Sequence, residues 1–345
     1  MNREVQQISR ARPTSKRPTL KTVAEAAGLA VTTVSRALSD DPKIALDTRR
    51  RVAEIAERIG YVPDRAAQRL RTGKTKVISL ILDPHDELLV FGNSLIGGLT
   101  RAIKGTNYHL TITPAFEEDP KAPIDHIVKN NLADGVVISR TSPFDQRVRF
   151  LIENDFHFVS HGRTEFSHSH SFVDFDNEEF AYLAATRLAE KGCRKICMIK
   201  PPDRFTFSQH MQYGLMRAVR KMGLDYIIPE EVSLISPMDE INAWASRLAA
   251  RDDAPDGFVC PGEASYLAVM SAFRSAGKLR GDAYEVVVKS SSQILSQIDP
   301  TIDRIFEDIE EAGYLMGRQL LQLLEGAADR PGQTIQRPVA DFCES

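Results

Sequence analysis

The sequence predicts two unlike parts in series: a small all-α head, then an α/β body built on two doubly wound parallel sheets. Three observations predict this. Charge is divided unevenly: residues 1–76 hold 17 Lys+Arg against 8 Asp+Glu, a balance of +9, while the remainder holds 27 against 39, a balance of -12. Apolar residues follow a helical period within the basic segment, whereas from Lys76 onward short β-rich runs alternate with amphipathic stretches. Finally, 345 residues exceed a single domain of roughly 100–200. A basic module joined to an acidic body is expected to meet a polyanion with its first part only.

Residues 1–18 mix Arg, Lys, Pro, Ser and Thr without periodicity and read as a disordered tail. Residues 19–63 read as three helices. Val23, Ala24, Ala26 and Ala27 make a short one after Thr19, and Gly28 breaks it where a tight turn uses positive φ. Val31–Leu38 (VTTVSRAL) is the second: Val34, Ala37 and Leu38 face inward, leaving Val31, Thr32, Ser35 and Arg36 outward. Asp47 to Ile59 is the third, capped by Asp47 or Thr48, with an apolar stripe of Val52, Ile55, Ala56 and Ile59. Gly60 ends it and Tyr61-Val62-Pro63 prevents continuation. Two short helices around a glycine turn, braced by a third, form a helix-turn-helix, the unit that lays its second helix in the DNA major groove. Residues 64–75 (DRAAQRLRTGKT) read as a hinge: good helix formers in a segment too short to hold a helix alone in water.

From Thr19 to Thr75 the chain closely resembles the DNA-binding head and hinge of the lac repressor family, in its TVSR core, its TR..V turn into the third helix and its GY.P..A..L tail. The resemblance implies that Val31, Thr32 and Arg36 read base edges. Arg36 would offer a fork to guanine O6 and N7, worth about 1–3 kcal/mol of discrimination. Thr22, Thr33 and Ser35 suit phosphates, which position the module without specifying sequence. Leu70 takes the place of the residue that wedges a minor-groove base step when two hinge copies fold on operator DNA. In one departure, Ala30 stands where the family usually has a Ser cap, so the cap is expected from elsewhere.

In the body (76–345), VISLILD, YHLTITP, GVVISR and FHFVSHG read as strands of a first lobe, and KICMIK, EVSLIS, GFVCPG and EVVVKS as strands of a second. Helical stretches lie at Ser94–Lys104, Asn177–Lys191, Gln209–Lys221, Ile241–Arg251 and Tyr314–Leu324. Continuous apolar strands alternating with helices imply parallel sheets covered on both faces, and a body this long implies two lobes with a cleft. Gly97-Gly98 reads as a site of close helix–sheet packing.

Ligands in such folds bind beyond the carboxyl ends of the strands. In the first lobe this nominates Asp83, Asp86, Phe91, Arg140, His161 and Arg163, with Asp176 in DFDN. The second lobe adds Phe207, His210, Ser236, Glu263, Lys289 and Ser290, and Glu307 lies near a crossover. Carboxylates, Arg and hydroxyls beside aromatic rings suit a sugar, although a purine, an amino-acid-like effector or a sugar phosphate uses a similar mixture. Arg140 and Asp176 could equally form structural ion pairs. The family's effector domain, similar to periplasmic binding proteins, has this architecture. Two of its common sugar ligands are changed: Met211 stands where related repressors carry Arg, and Lys289-Ser290 replaces an acidic residue. SRTSPFDQRV, FVSHGRTEF and VDFDN look most like the branch regulating α-glucoside uptake, which implies a disaccharide of glucose such as sucrose or a maltose-like sugar.

The resemblance thus implies a dimeric transcriptional repressor whose heads bind half-sites of a pseudo-palindromic operator and whose effector resets the hinge spacing. The alternative is a sugar-binding receptor or enzyme with a vestigial DNA-binding head. No heptad long enough for a coiled coil follows Leu324, so a dimer is expected rather than a tetramer. Neither a cofactor nor a metal is expected: His168 and His170, and Cys193-x3-Cys197, lack a completing pair at zinc spacing. The obvious hydrolase, nucleotide and dinucleotide motifs are absent. Four scattered cysteines make no disulfide framework, no run approaches about 18 apolar residues, and the N-terminus lacks a secretory stretch, so a cytoplasmic protein is expected.

Overall fold

In a computed structural model of the chain, residues 18–62, 64, 69–70, 72–82, 88–115, 118–327 and 330–343 are described, without the side chains of 88–90. The tail through Arg17, Pro63, hinge residues 65–68 and 71, Asp83 and Asp86 lie outside them. The chain divides into one unit ending at Thr75 and another spanning Lys76–Ser345.

The first unit holds α1 (Leu20–Ala27), α2 (Val31–Leu38) and α3 (Leu46–Arg58) around a core that includes Val23, Ala27, Val34, Ala37, Val52 and Ile55. Thr19 and Thr22 cap α1 reciprocally, each side chain accepting from the other's backbone N–H. Gly28 has φ 66°, and an added Cβ would meet nothing within 4 Å, so conformation rather than space calls for glycine there. The cap of the third helix is not Asp47 or Thr48. Its N-cap is Ala45, which offers no side-chain acceptor, and Asp47 sits in the first turn, where a carboxylate suits the positive helix end.

The second unit contains two six-stranded sheets. The first orders β11 (Gln333–Gln336), β5 (Phe172–Phe175), β4 (Phe158–His161), β3 (Gly135–Ser139), β1 (Val77–Leu82) and β2 (His109–Pro114), all parallel. The second orders β12 (Val339–Asp341), β10 (Asp303–Phe306), β9 (Glu285–Ser290), β8 (Gly257–Cys260), β6 (Lys195–Met198) and β7 (Asp225–Ile227), parallel except for β12. Glu231–Ser236 is not a strand. Val232 and Leu234 are buried from irregular backbone, and the edge position belongs to β7.

The chain passes between the lobes three times: after β5, after β10 and between β11 and β12. Each of the first two crossings opens a helix, α7 (Asn177–Glu190) and α12 (Ile309–Glu325), in the same way. Asp176 and Asp308 cap them through Glu179 N and Glu311 N. Glu178, Glu179 and Tyr182 recur as Glu310, Glu311 and Tyr314. Arg217 of α8 (Thr206–Met222) and Arg101 of α4 (Leu88–Ile103) bind the respective acidic pairs and stack on the respective tyrosines. The contact needs glycine on each partner helix. A Cβ on Gly98 would stand 1.9 Å from Glu310 O, and one on Gly214 would stand 2.0 Å from Glu178 O. Gly98 therefore serves helix–helix packing, not the helix–sheet packing expected.

His170 is buried, stacked on Phe158 and bonded to Ser160 Oγ at 3.1 Å. Among the described residues no cluster of three His, Cys, Asp or Glu could hold a metal, and no helix is long and apolar enough to cross a membrane.

Candidate functional sites: a DNA-reading helix and an interlobe chamber

On α2, Val34 and Ala37 anchor the helix while Val31 (43 % exposed), Thr32 and Arg36 face solvent; Thr33 and Ser35 are half-buried beside them. Arg36 Nε donates to Asp41 Oδ2 at 2.9 Å, and that bond together with Lys43 N holds the Asp41 carboxyl below its usual range. The contact orients Arg36 through Nε and leaves the outer edge of the guanidinium, with both Nη groups, for a base fork. Because Ala30 offers no side-chain acceptor, the first-turn amides of α2 suit a phosphate oxygen. The Thr22 hydroxyl is engaged in the α1 cap, its oxygen accepting from Thr19 N–H at 3.2 Å. Leu70 is helical and 90 % exposed, so it takes no part in a core of the protomer.

In the body, the carboxyl ends of β3, β4, β8 and β9 and the start of α8 surround a chamber of about 790 Å³, open mouth included. Nine nominated residues line it: Phe91, Arg140, His161 and Arg163, then Phe207, Glu263, Lys289, Ser290 and Glu307. Asp176 does not, since its carboxylate caps α7. Ser236 lies in a turn where its Oγ accepts from Ser233 N, and Leu234 reaches the chamber instead. His210 stands one layer back, its Nδ1 3.4 Å from Arg163 Nη2. Met211, at the position of the missing Arg, is core. Sequence reasoning missed Asp174, Asn177, Thr141 and Thr206. A charged residue inside the apolar run FVDF was the available signal for Asp174.

The charges are paired. Arg163 Nε lies 2.8 Å from Asp174 Oδ2; burial pushes that carboxyl up and Arg163 opposes it. Lys289 Nζ lies 2.6 Å from Glu307 Oε2 and 3.2 Å from Asn177 Oδ1, above the Phe175 and Phe180 rings. Glu263 accepts from the Ser292 hydroxyl at 2.9 Å and from the Ser291 and Ser292 amides. Burial holds His161 below its usual pKa, hence neutral at neutral pH, with its ring edge-on to Phe91. The lining thus carries three cationic side chains, Arg140, Arg163 and Lys289, against Asp174, Glu263 and Glu307. Besides Arg163 Nε, which faces the Asp174 carboxylate, three lining atoms, His161 Nε2, Thr206 Oγ1 and Ser290 Oγ, are buried without a hydrogen-bond partner among the described residues. Buried polar atoms left this way cost about 1–3 kcal/mol each, a cost that a ligand hydroxyl removes.

Comparison with known proteins agrees with this geometry. Residues 19–64 match the family of bacterial regulatory proteins, lacI family, and residues 185–341 match the periplasmic binding protein-like domain. The HTH-type transcriptional regulator AglR of Rhizobium meliloti (strain 1021) is 30% identical over 329 residues, covering 92% of this chain and 91% of its own. The lac repressor dimer bound to operator and the anti-inducer ONPF superposes with a TM-score of 0.79 at 19% identity, covering 94% of this chain and 98% of that one. The transcriptional regulator CelR–cellobiose complex gives 0.68 at 22% identity, covering 94% and 98%. With a curated relative 30% identical along nearly the whole of both chains, this chain belongs to the lacI family of bacterial regulatory proteins, as a DNA-binding transcriptional regulator and not an enzyme.

Proposed function

We propose that the protein is a cytoplasmic homodimeric repressor whose two heads hold the half-sites of a pseudo-palindromic operator and whose effector is an uncharged saccharide, an α-glucoside disaccharide first. In this reading Val31, Thr32 and Arg36 read bases, Thr22, Thr33 and Ser35 hold phosphates, and the paired Leu70 side chains wedge the central step. The observation that carries the effector class is the charge balance of the chamber together with its three orphaned hydrogen-bonding atoms. A phosphate or carboxylate on the ligand would need a surplus cation, and each cation with a resolved pairing, Arg163 and Lys289, already faces a carboxylate. Hydroxyl groups both donate and accept, so they satisfy hydroxyls and a neutral imidazole without adding charge. Phe91 and Phe207 supply the flat apolar surface that a pyranose ring presents a face to.

Saccharide and operator would be coupled through their differential affinity for two lobe arrangements. The test is fluorescence anisotropy of labelled DNA from the protein's own locus, titrated with protein in the presence of sucrose, maltose, trehalose and their phosphorylated forms. Tight binding released by one uncharged disaccharide is expected. Release by a sugar phosphate alone, or by none of them, removes the effector assignment and leaves DNA binding standing.

A further inference from the structure

The reading helix α2 ends in a turn that brings the chain back against it. Ser39 closes the helix, and Asp40, at φ 54°, takes the left-handed conformation that usually falls to glycine. The Asp40 N–H donates to Ala37 O at 3.1 Å and the Asp41 N–H to Arg36 O at 3.1 Å, the paired bonds of a Schellman ending. Arg49 of α3 pins the turn by donating to the Asp40 carboxylate and carbonyl.

In such an ending the second residue past the cap lies against the third-last residue of the helix, and an apolar contact frequently fills the space. Here those residues are Asp41 and Arg36, and the contact is ionic: Asp41 Oδ2 accepts from Arg36 Nε at 2.9 Å. The carboxylate is itself fixed, because its Oδ1 accepts from Lys43 N–H at 2.9 Å. Backbone geometry, and not the meeting of two long flexible side chains, therefore sets an acceptor beside the arginine of the outward face of α2.

The pair does little for folding. The two side chains keep 47 % and 29 % of their surface in solvent, and exposed ion pairs add little stability. A carboxylate on a surface that meets phosphates also opposes DNA. What the pair supplies is order: an arginine held in one rotamer before binding avoids an ordering cost worth roughly two- to tenfold in affinity. We infer that Asp41 is a specificity-determining positioning residue, holding Arg36 by Nε so that both Nη groups are presented to a guanine before DNA arrives. The inference rests on the reading of Arg36 as a base contact and adds the residue that aims it.

The test uses the full-length protein. Duplexes selected from a randomised library give the preferred sequence, and Arg36→Ala shows at which base pair discrimination is lost. Fluorescence anisotropy at one salt concentration then compares the selected duplex, the same duplex with that pair exchanged, and a random duplex. The proteins are the parent, Asp41→Asn, Asp41→Ser, and each of these combined with Arg36→Ala. Asparagine has one acceptor oxygen for two donors, and serine keeps an acceptor for Lys43 N–H but is too short to serve Nε as well. The parent should discriminate at that pair by about 5- to 150-fold. Either Asp41 variant should lose roughly two- to tenfold of this while binding random duplex as tightly as the parent or more so. In the Arg36→Ala background the same changes should leave discrimination as it was. Intact discrimination in both Asp41 variants, equal weakening on all the duplexes, or the same effect without Arg36 overturns the role of Asp41 while base reading by Arg36 stands. No base pair at which Arg36→Ala loses discrimination overturns both.

Discussion

Replacing Lys289 by Met should weaken the pH dependence that His161 contributes to stability. Lys289 and Glu307 are 2.6 Å apart and nearly buried, and His161 Nε2 lies 3.6 Å from the other Glu307 oxygen. Removing one member of a buried ion pair strands the other, which costs about 3–5 kcal/mol. In the unmodified protein burial depresses the His161 pKa, Glu307 and Asp174 pull it up, and Lys289 pushes it down. A depressed folded pKa means that the unfolded chain takes the proton first, so this group costs stability as pH falls below about 6.5. Without Lys289 the stranded carboxylate faces the imidazole directly. The folded pKa then rises toward the unfolded one, and the stability that His161 costs as pH falls becomes smaller. The stability gap between variant and parent should therefore be about 3–5 kcal/mol at pH 8 and smaller at pH 5.5. Urea unfolding followed by circular dichroism at both pH values reads it. Adding Glu307→Gln should recover most of the loss and abolish the narrowing, because the charge to be compensated is gone. A gap that stays constant with pH, or a double variant no more stable than the single one, refutes the three-group account.

Three further outcomes are expected. Arg36→Ala should cost about 1–3 kcal/mol of operator affinity, roughly 5- to 150-fold, with little change on random duplex at the same salt; equal loss on both DNAs would make Arg36 a phosphate contact. Leu70→Ala should weaken operator binding while unfolding stability stays within about 0.5 kcal/mol, since the side chain is exposed in the protomer. Gly98→Ala places its Cβ 1.9 Å from Glu310 O and 2.6 Å from Tyr314 N, both backbone, so the helices must separate. Its cost should reach at least about 1–3 kcal/mol in thermal unfolding, and an unchanged melting temperature would contradict the close approach.

The helices of the head were legible because their signals are local: an apolar face at i, i+3, i+4 in VTTVSRAL and a left-handed glycine. The third cap was misplaced because Ala45 has no side chain to announce itself, while Asp47 looks like a cap and serves the first turn. Glu231–Ser236 looked like a strand because Val232 and Leu234 are buried at alternate positions, a period that an irregular segment reproduces when it lies on a core. The true edge strand, Asp225–Ile227, and the late strands Gln333–Gln336 and Val339–Asp341 carry little apolar pattern, since neighbouring strands rather than their own burial hold them. Strand-end reasoning found nine of the nineteen residues that line the chamber. Thr206 and Asn177 escaped it because one begins a helix and the other a crossover, so only the meeting of two lobes makes them neighbours.

The triple crossing between lobes has a consequence for how the protein is made. The first lobe owns α12 and β11, which come almost last off the ribosome. Leu95 and Leu99 of α4 belong to the same core cluster as Met316 and Leu320 of α12, so they have no partner helix until some 200 further residues have been added. At roughly 5–20 residues per second that delay is on the order of 10–40 s, during which a sticky apolar face is displayed to the translating cell. The head, whose core closes among residues between Leu20 and Tyr61, is finished long before. A nascent chain of this regulator therefore passes through a stage with a completed DNA-reading module and an unfinished sensor, and chaperone capture during that interval is the natural safeguard for the unfinished part.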